Sequence, residues 1–283
     1  MSLPRISIVT PSFNQGHFIE ATIQSVLNQN YPNLEYIIID GGSTDSSVEV
    51  IRRYEKSLAY WVSEKDAGAA DAIAKGFRHS NGDILAYLNS DDLYLPGTLQ
   101  AVADAFQRRH TDVVYGNTRW IDAGGNPIGE RRQTPFAAAG YLYGGFDLQQ
   151  PAVFWSRQAY EKSGGIDPSY LFTFDTEMFV RFVNQGSRFT HVRQPFAAFR
   201  IHERSKSSNE ADRCERELER LRSRHLRYPF RSAYAKWTRM LSRTERAFWY
   251  LMQGDALWLL QRIPDRWRSR HSTEIAGPRA RWM

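Results

Sequence analysis

Tyr36-Ile37-Ile38-Ile39-Asp40-Gly41-Gly42-Ser43-Thr44-Asp45 is the stretch that decides how the rest of the chain is read. Four consecutive apolar residues without polar alternation describe a strand covered on both faces, as in a parallel sheet flanked by helices. The run stops in an acid and two glycines. Ser43, Thr44 or Asp45 can then cap a helix through Tyr54. Upstream, Ile6 to Thr10 reads as a strand and Gly16 to Asn28 as a helix with Ile19, Ile23, Val26 and Leu27 on one face. Downstream come a strand at 58–62, a helix at 67–78, a strand at 84–88, a helix at 96–108 and a strand at 112–115. This order predicts an α/β fold with a mainly parallel, doubly wound, Rossmann-like sheet. Beyond residue 116, a turn at 122–127 separates two extended pieces. A strand at 152–155, a helix at 174–184 and two short strands at 189–192 and 197–201 follow. We read 1–203 as one domain, with halves 1–116 and 117–203, and 204–283 as a helical extension.

Each early strand runs out into polar or turn-forming residues. They are Pro11-Ser12-Phe13-Asn14, Asp40 to Asp45, Ser63-Glu64-Lys65-Asp66-Ala67-Gly68 and Asn89-Ser90-Asp91-Asp92. In a parallel sheet the C-terminal strand ends share one edge, where such folds bind ligands. One Asp-Gly is usually only a turn. Four such ends with recurring acids point to a site. Adjacent carboxylates at Asp91 and Asp92 repel unless a cation or donor intervenes, and a hard divalent cation suits their oxygens. The alternative is that they cap the helix after Pro96.

The 283 residues carry a formal net charge of +6, unevenly spread. Residues 1–203 hold 18 Lys/Arg against 22 Asp/Glu, or −4; residues 204–283 hold 19 against 9, or +10. The first 203 residues lack the basic face and reading module of a nucleic-acid binder. The single cysteine, Cys214, permits neither an intrachain disulfide nor a cysteine-rich zinc site, which fits a reducing compartment. Residues 5–10 alternate like a strand where a signal peptide would be apolar. The apolar stretch from Phe248 to Leu260 is too short and too interrupted to span a membrane.

Four motifs in this order resemble the inverting GT-A glycosyltransferases of the large family 2: Thr10-Pro11-Ser12-Phe13-Asn14, Asp40 to Asp45, Glu64 to Gly68 followed by Asp71 and Lys75, and Asn89 to Asp92. The resemblance covers about residues 5 to 205. It implies transfer of a sugar from a nucleoside-diphosphate donor, UDP-linked by preference with GDP and dTDP open, to a glycan or lipid-linked acceptor in cell-surface polysaccharide or glycolipid synthesis. It implies nucleotide contacts from Pro11, Phe13, Asn14, Asp40, Ser43, Glu64, Asp66, Asp71, Asn89, Ser90 and Asp91. Lys75 is either a phosphate contact or a solvated helix lysine. Asn89 replaces the first Asp of the family's metal motif, which leaves Mn²⁺ or Mg²⁺ to Asp91 and Asp92. Such a cation would stabilise charge on the departing diphosphate.

Inverting transfer needs a base for the acceptor hydroxyl. In the resemblance Asp175 matches that base, with Glu177 as the alternative and Arg181 following on the same helix. Gln150 matches a polar segment facing the site. His202, in Phe199-Arg200-Ile201-His202, matches a histidine brought toward metal and diphosphate; a structural histidine is the competing reading. A dehydrogenase is disfavoured because the first loop lacks G-x-G-x-x-G, and a P-loop NTPase likewise. A nucleotidyltransferase, or a degenerate sugar-binding module of the same fold, remains as an alternative.

The tail carries a narrow apolar stripe of Cys214, Leu218 and Leu221 at helical spacing. Farther on, Phe248, Trp249, Tyr250, Trp258, Leu259, Leu260 and Trp267 lie among arginines. Three readings follow: packing on the body, pairing with a second chain, or peripheral contact with anionic lipid. Together these place the protein in the cytoplasm, with the inner membrane face as the site of any peripheral contact. No nucleic-acid partner is expected.

Overall fold

A computed structural model describes residues 3–144, 146–202 and 211–254. Two compact units divide the chain: Met1–Gln133 with Leu148–Ile201, and Thr134–Asp147 with His202–Met283.

The first unit is built on one mixed sheet. β1 (Ile6–Ser12), β2 (Leu34–Asp40), β3 (Tyr60–Ser63) and β4 (Ile84–Tyr87) are parallel, in the order β3-β2-β1-β4. Three helices connect them: α1 (Ile19–Leu27), α2 (Ser47–Arg53) and α3 (Ala69–Arg78). The buried run in β2 arises as its composition demands, because helices cover both faces. Ile6, Ile8, Ile38, Ile19 and Ile23 pack into one core, and α3 lies against β1 so closely that a Cβ on Gly76 would meet Val9 Cγ1 at 2.4 Å. Beyond β4 come a two-residue β5 (Leu93–Tyr94), α4 (Thr98–Arg108), β6 (Val113–Ile121) and β7 (Pro127–Arg131). After the 134–147 segment, which holds α5 (Ala138–Tyr143) of the other unit, the first unit resumes with a 3-10 turn at Gln150–Ala152, β8 (Val153–Ser156), α6 (Arg157–Ser163), α7 (Phe174–Asn184) and β9 (Phe189–Arg200). The sheet continues β4-β8-β6-β9-β5, with β7 paired to β6. β8 is antiparallel to both β4 and β6.

Two expectations change here. The two short strands expected at 189–192 and 197–201 are one strand, β9. Pro195 suggests a break because it cannot donate to a ladder, but register shifts between Tyr115 and Thr118 of β6 let the pairing continue past it. The boundary expected at 203 also differs. Segment 134–147, expected in the acceptor half, belongs to the second unit. There α5 (Ala138–Tyr143) packs on α9 (Ala233–Met252), and Arg239 Nη1 donates to the carbonyls of Tyr143 and Phe230, both at 3.0 Å. Its small residues allow this: a Cβ on Gly140 would meet Ser242 Oγ at 2.3 Å.

The second unit also holds α8 (Ala211–His225), whose Cys214, Leu218 and Leu221 are buried as the stripe predicts. On α9, Tyr250 is buried while Trp237, Met240, Phe248, Leu251 and Met252 are exposed. Trp258, Leu259, Leu260 and Trp267 lie outside the described residues. Among the described residues no helix is long and apolar enough to cross a membrane.

Candidate active site

The parallel register sets the first wall of the site. Ser12, Asp40 and Ser63 stand side by side as the last residues of β1, β2 and β3. Asp40 is buried, and its carboxylate organises the turn that follows. Oδ2 accepts from the backbone N–H of Gly42 (3.1 Å) and Ser43 (2.8 Å) and from Ser63 Oγ (2.7 Å), while Oδ1 accepts from Ser43 Oγ (2.5 Å). Gly42 takes φ +79°, which disfavours a side chain. Gly41 is demanded by space instead: a Cβ there would lie 2.8 Å from Asp66 Oδ2.

The β1–α1 and β2–α2 loops are latched together. Asn14, at φ 52°, donates its N–H to Ser43 Oγ (2.8 Å), and its Oδ1 accepts from Thr44 N (2.9 Å). Gly16 N donates to Asp45 Oδ2 and Gln15 N to Ser47 Oγ, each at 2.9 Å. Burial works to raise the Asp45 pKa, but hydrogen bonds from Ser47 and Gly16 outweigh it and hold the carboxyl below its ordinary range. Pro11 is buried in β1 beside Ile39, whereas Phe13 leaves the latched loop 58% exposed. At the third strand end Glu64 pairs with Lys75, so the lysine reaches back to its own loop. Asp66 Oδ1 accepts from Gly68 N (2.8 Å) and Asp71 Oδ2 from Ala67 N (3.2 Å), which fixes the start of α3.

The Asn89–Asp92 loop forms the floor, and its two acids part company. Asp92 is buried, with Oδ1 accepting from Arg200 N at 2.9 Å and Oδ2 near Asn89 Nδ2 at 3.4 Å. Burial, then the neighbouring Asp91 charge, push its pKa well above the usual carboxylate value, against the opposing Arg200 and Asn89 contacts. Asp91 is half-buried on the same turn. Ser90 is buried between Asn89 and Asp91. Among the described residues no group of three His, Cys, Asp or Glu stands close enough to hold a metal ion.

Arg200, which pattern reading passed over in favour of His202, is the organiser of this loop. Its Nε donates to the Asp91 carbonyl (2.8 Å), and its Nη1 to the carbonyls of Asp122 (3.2 Å) and Ala123 (2.9 Å). Its guanidinium lies 4.9 Å over the Phe18 ring. The signal available was an arginine closing an apolar strand, where a buried charge must find acceptors. His202 falls in the second unit and is half-buried.

Gln150 is brought to the floor. It is buried, its Nε2 donates to the Tyr87 carbonyl at 2.8 Å, and its Oε1 lies 3.5 Å from Asn89 Nδ2. The start of α7 is near the same point, since the Phe174 ring lies 5.7 Å from that of Tyr87. Asp175, in the first turn of α7, is buried, and its Oδ1 accepts from Thr176 N at 2.6 Å. Glu177 points elsewhere. It is 1% exposed and grips Arg181, with Nε at 2.9 and 3.0 Å from its two oxygens and Nη2 at 2.6 Å from Oε2. Arg181 in turn donates to the carbonyls of Ser163 and Gly165, closing the α6–α7 connection onto α7. Glu177 and Arg181 are thus engaged with the framework.

The family model described as "Glycosyl transferase family 2" matches residues 7–167. An uncharacterized glycosyltransferase of Mycobacterium tuberculosis is 32% identical over 187 residues, covering 64% of this chain and 69% of its own. A UDP-Glc:alpha-D-GlcNAc-diphosphoundecaprenol beta-1,3-glucosyltransferase of Escherichia coli is 31% identical over 118 residues, covering 41% of this chain and 47% of its own. Among solved structures, a mannosyltransferase from Pyrobaculum calidifontis in complex with GDP-Man and Mn²⁺ matches with a TM-score of 0.62 at 18% identity, over 90% of this chain and 76% of that one. At that identity the likeness speaks for the fold alone.

Proposed function

The chain belongs to glycosyl transferase family 2, and from that premise we propose that it moves a sugar from a nucleoside-diphosphate donor to an acceptor hydroxyl with inversion at the anomeric carbon. One observation carries the reading. The C-terminal ends of four parallel strands form a single edge whose loops are pinned to one another, with the Asn89–Asp92 loop and the start of α7 beside it. Phe13 offers an exposed ring for a base, and the latched loops offer hydroxyls and amides for ribose and phosphate. UDP is the preferred nucleotide, with GDP and dTDP as the alternatives.

The residues present fit a divalent cation shared with substrate. Mg²⁺ and similar ions in phosphate sites use one or two carboxylates plus phosphate oxygens rather than an all-protein cage. Asp91 would supply the carboxylate, while Asp92 is engaged with β9. Bound there, such an ion would neutralise charge on the leaving diphosphate. Asp175 takes the proton as the acceptor oxygen attacks, and the acceptor lies on the side of α7. A base acting through a positioned carboxylate contributes about 10²–10⁴ in rate. The acceptor is a glycan or a lipid-linked sugar, a setting supported by the E. coli relative's named substrate. Peripheral contact with the inner membrane face, through α9 and the following residues, is part of the same reading.

The test is a thermal-shift series with UDP, GDP and dTDP, each with and without Mn²⁺. Selective native-state binding raises Tm by mass action. The donor's nucleotide should give the largest shift, enlarged by the ion and lost with EDTA. Equal small shifts for all three, unaffected by EDTA, would count against the proposal.

A further inference from the structure

Arg131 is the last residue of β7 and is only 6% exposed. Among the described residues its Nε has no hydrogen-bond partner, and no ion pair engages its guanidinium. The neighbouring acid, Glu130, faces Arg132 instead, at 3.6 Å. A buried arginine without a counter-charge is costly to keep, and proteins keep such groups for a partner. Two more unmet groups belong to the same corner. Thr118, fully buried, stands directly opposite Arg131 in the β6–β7 ladder, and its Oγ1 is unpartnered. Gln133 follows two residues on and is 3% exposed. Its backbone N–H is held by Asn117 Oδ1 at 2.8 Å, while its Nε2 is unpartnered.

The chemistry of the three is one-sided. Arginine Nε–H and glutamine Nε2–H only donate, and a threonine hydroxyl can donate. Their common ligand must offer several acceptor lone pairs and negative charge, which describes a phosphate or carboxylate. The place is also informative. β8 and β7 occupy successive stretches of one edge of β6, Tyr115 pairing with Val153 and Thr118 with Arg131. Arg131 therefore lies just past the Gln150–Ala152 turn, on the far side of β4 from the strand ends of β1 to β3.

We propose that Arg131, Thr118 and Gln133 form an oxyanion subsite on the acceptor half, so that the acceptor carries a phosphate or carboxylate beside the sugar that receives transfer. This rests on the glycosyltransferase reading and narrows its acceptor class. It also explains why the corner is kept unsatisfied: the groups are preorganised for a charge the substrate brings.

The test uses the full chain and its Arg131→Met variant, with Tm read against inorganic phosphate and against glucuronate, each with and without saturating UDP. The expected result has three parts. One of the two anions stabilises the wild type with UDP already bound, and that anion names the class. The variant loses the anion response. The variant keeps the whole UDP response and is no less stable than the wild type, because an unpaired buried charge has been removed. Kinetically, its kcat/KM for an anionic acceptor falls about 10- to 100-fold, the worth of a charge-assisted hydrogen bond. The inference is overturned if the anion response is the same in both proteins, or if UDP abolishes it, since the anion would then be reading the donor diphosphate site. Should Arg131→Met not fold, Thr118→Val makes the same comparison, retained anion response being the adverse result. A wild type that ignores UDP but responds to phosphate through Arg131 would instead sink the transferase reading and leave the subsite standing.

Discussion

Glu177→Gln and Asp175→Asn separate a framework acid from the proposed base, although the two lie two residues apart in one helix. Glu177 is buried and both oxygens engage Arg181, which also closes on Ser163 and Gly165. Glutamine keeps the shape and one acceptor but removes the charge, leaving a buried guanidinium with backbone carbonyls alone. Breaking a buried pair from one side costs about 3–5 kcal/mol. The retained carbonyl argues for the lower end, near 3 kcal/mol. A chain of this size loses about 2–4 °C of Tm per kcal/mol. Glu177→Gln should therefore melt about 6–12 °C lower, while kcat below the transition stays within a few-fold of wild type. Asp175→Asn should do the reverse, with little change in Tm and a fall of about 10²–10⁴ in kcat. Differential scanning calorimetry and initial rates of nucleoside-diphosphate release, both below the melting onset, are sufficient. If Glu177→Gln melts like wild type but loses rate a hundredfold, the assignment of roles is reversed.

Three further outcomes follow from particular residues. His191 stacks on Tyr115, and burial, then Arg193, hold its pKa down to about 4 from 6.5. The unfolded chain thus binds this proton more readily between those values. Stability should be intact above pH 6.5 and fall by about 3 kcal/mol as pH drops toward 4; His191→Phe should lose that slope in urea titrations at stepped pH. Phe13→Ala should weaken UDP binding about 10- to 100-fold by calorimetry, the usual worth of a base–aromatic stack, and unchanged affinity would remove Phe13 from the nucleotide site. The exposed Trp237, Phe248, Leu251 and Met252 of α9, with the basic tail beyond, should carry the protein onto anionic liposomes at low salt and release it at high salt; failure to co-sediment at low salt would leave the tail to a structural or oligomeric role.

The parallel half was legible because each strand carried its own signature: an apolar run ending in turn chemistry, followed by a helical period. What the sequence could not express was the direction of side chains. Asp91 and Asp92 look alike as neighbours, yet one residue of rotation sends Asp92 into the β9 backbone. Glu177 and Asp175 differ likewise across a helix. Pro195 has no N–H to give a ladder yet lies inside β9, and only the pairing with β6 shows how bulges absorb it. The grouping of 134–147 with α9 depends on Gly140 fitting Ser242, a contact about a hundred residues away. Arg131 carried no signal at all, because an arginine ending an exposed-looking hairpin is ordinarily solvated.

These long-range dependencies bear on how the two expected halves of the catalytic part relate. The motifs lie in the first half, but the second half makes them a site. β4 ends beside Gln150, which takes the Tyr87 carbonyl and approaches Asn89. The Asp92 carboxylate is satisfied from Arg200, and the Asp91 carbonyl accepts from the same residue. β5, which follows directly, has β9 as its ladder partner. A fragment ending at residue 116 would therefore leave a buried carboxylate without its strongest donor, and open strand edges on β4 and β5. Both are penalised by desolvation and by unpaired backbone groups. Residues 1–116 hold the parallel strand ends, yet the hydrogen bonds that fix Asp91 and Asp92 come from a residue more than a hundred positions later. The unit that carries the chemistry is the whole sheet, and Arg200 is where its parallel and antiparallel parts are joined.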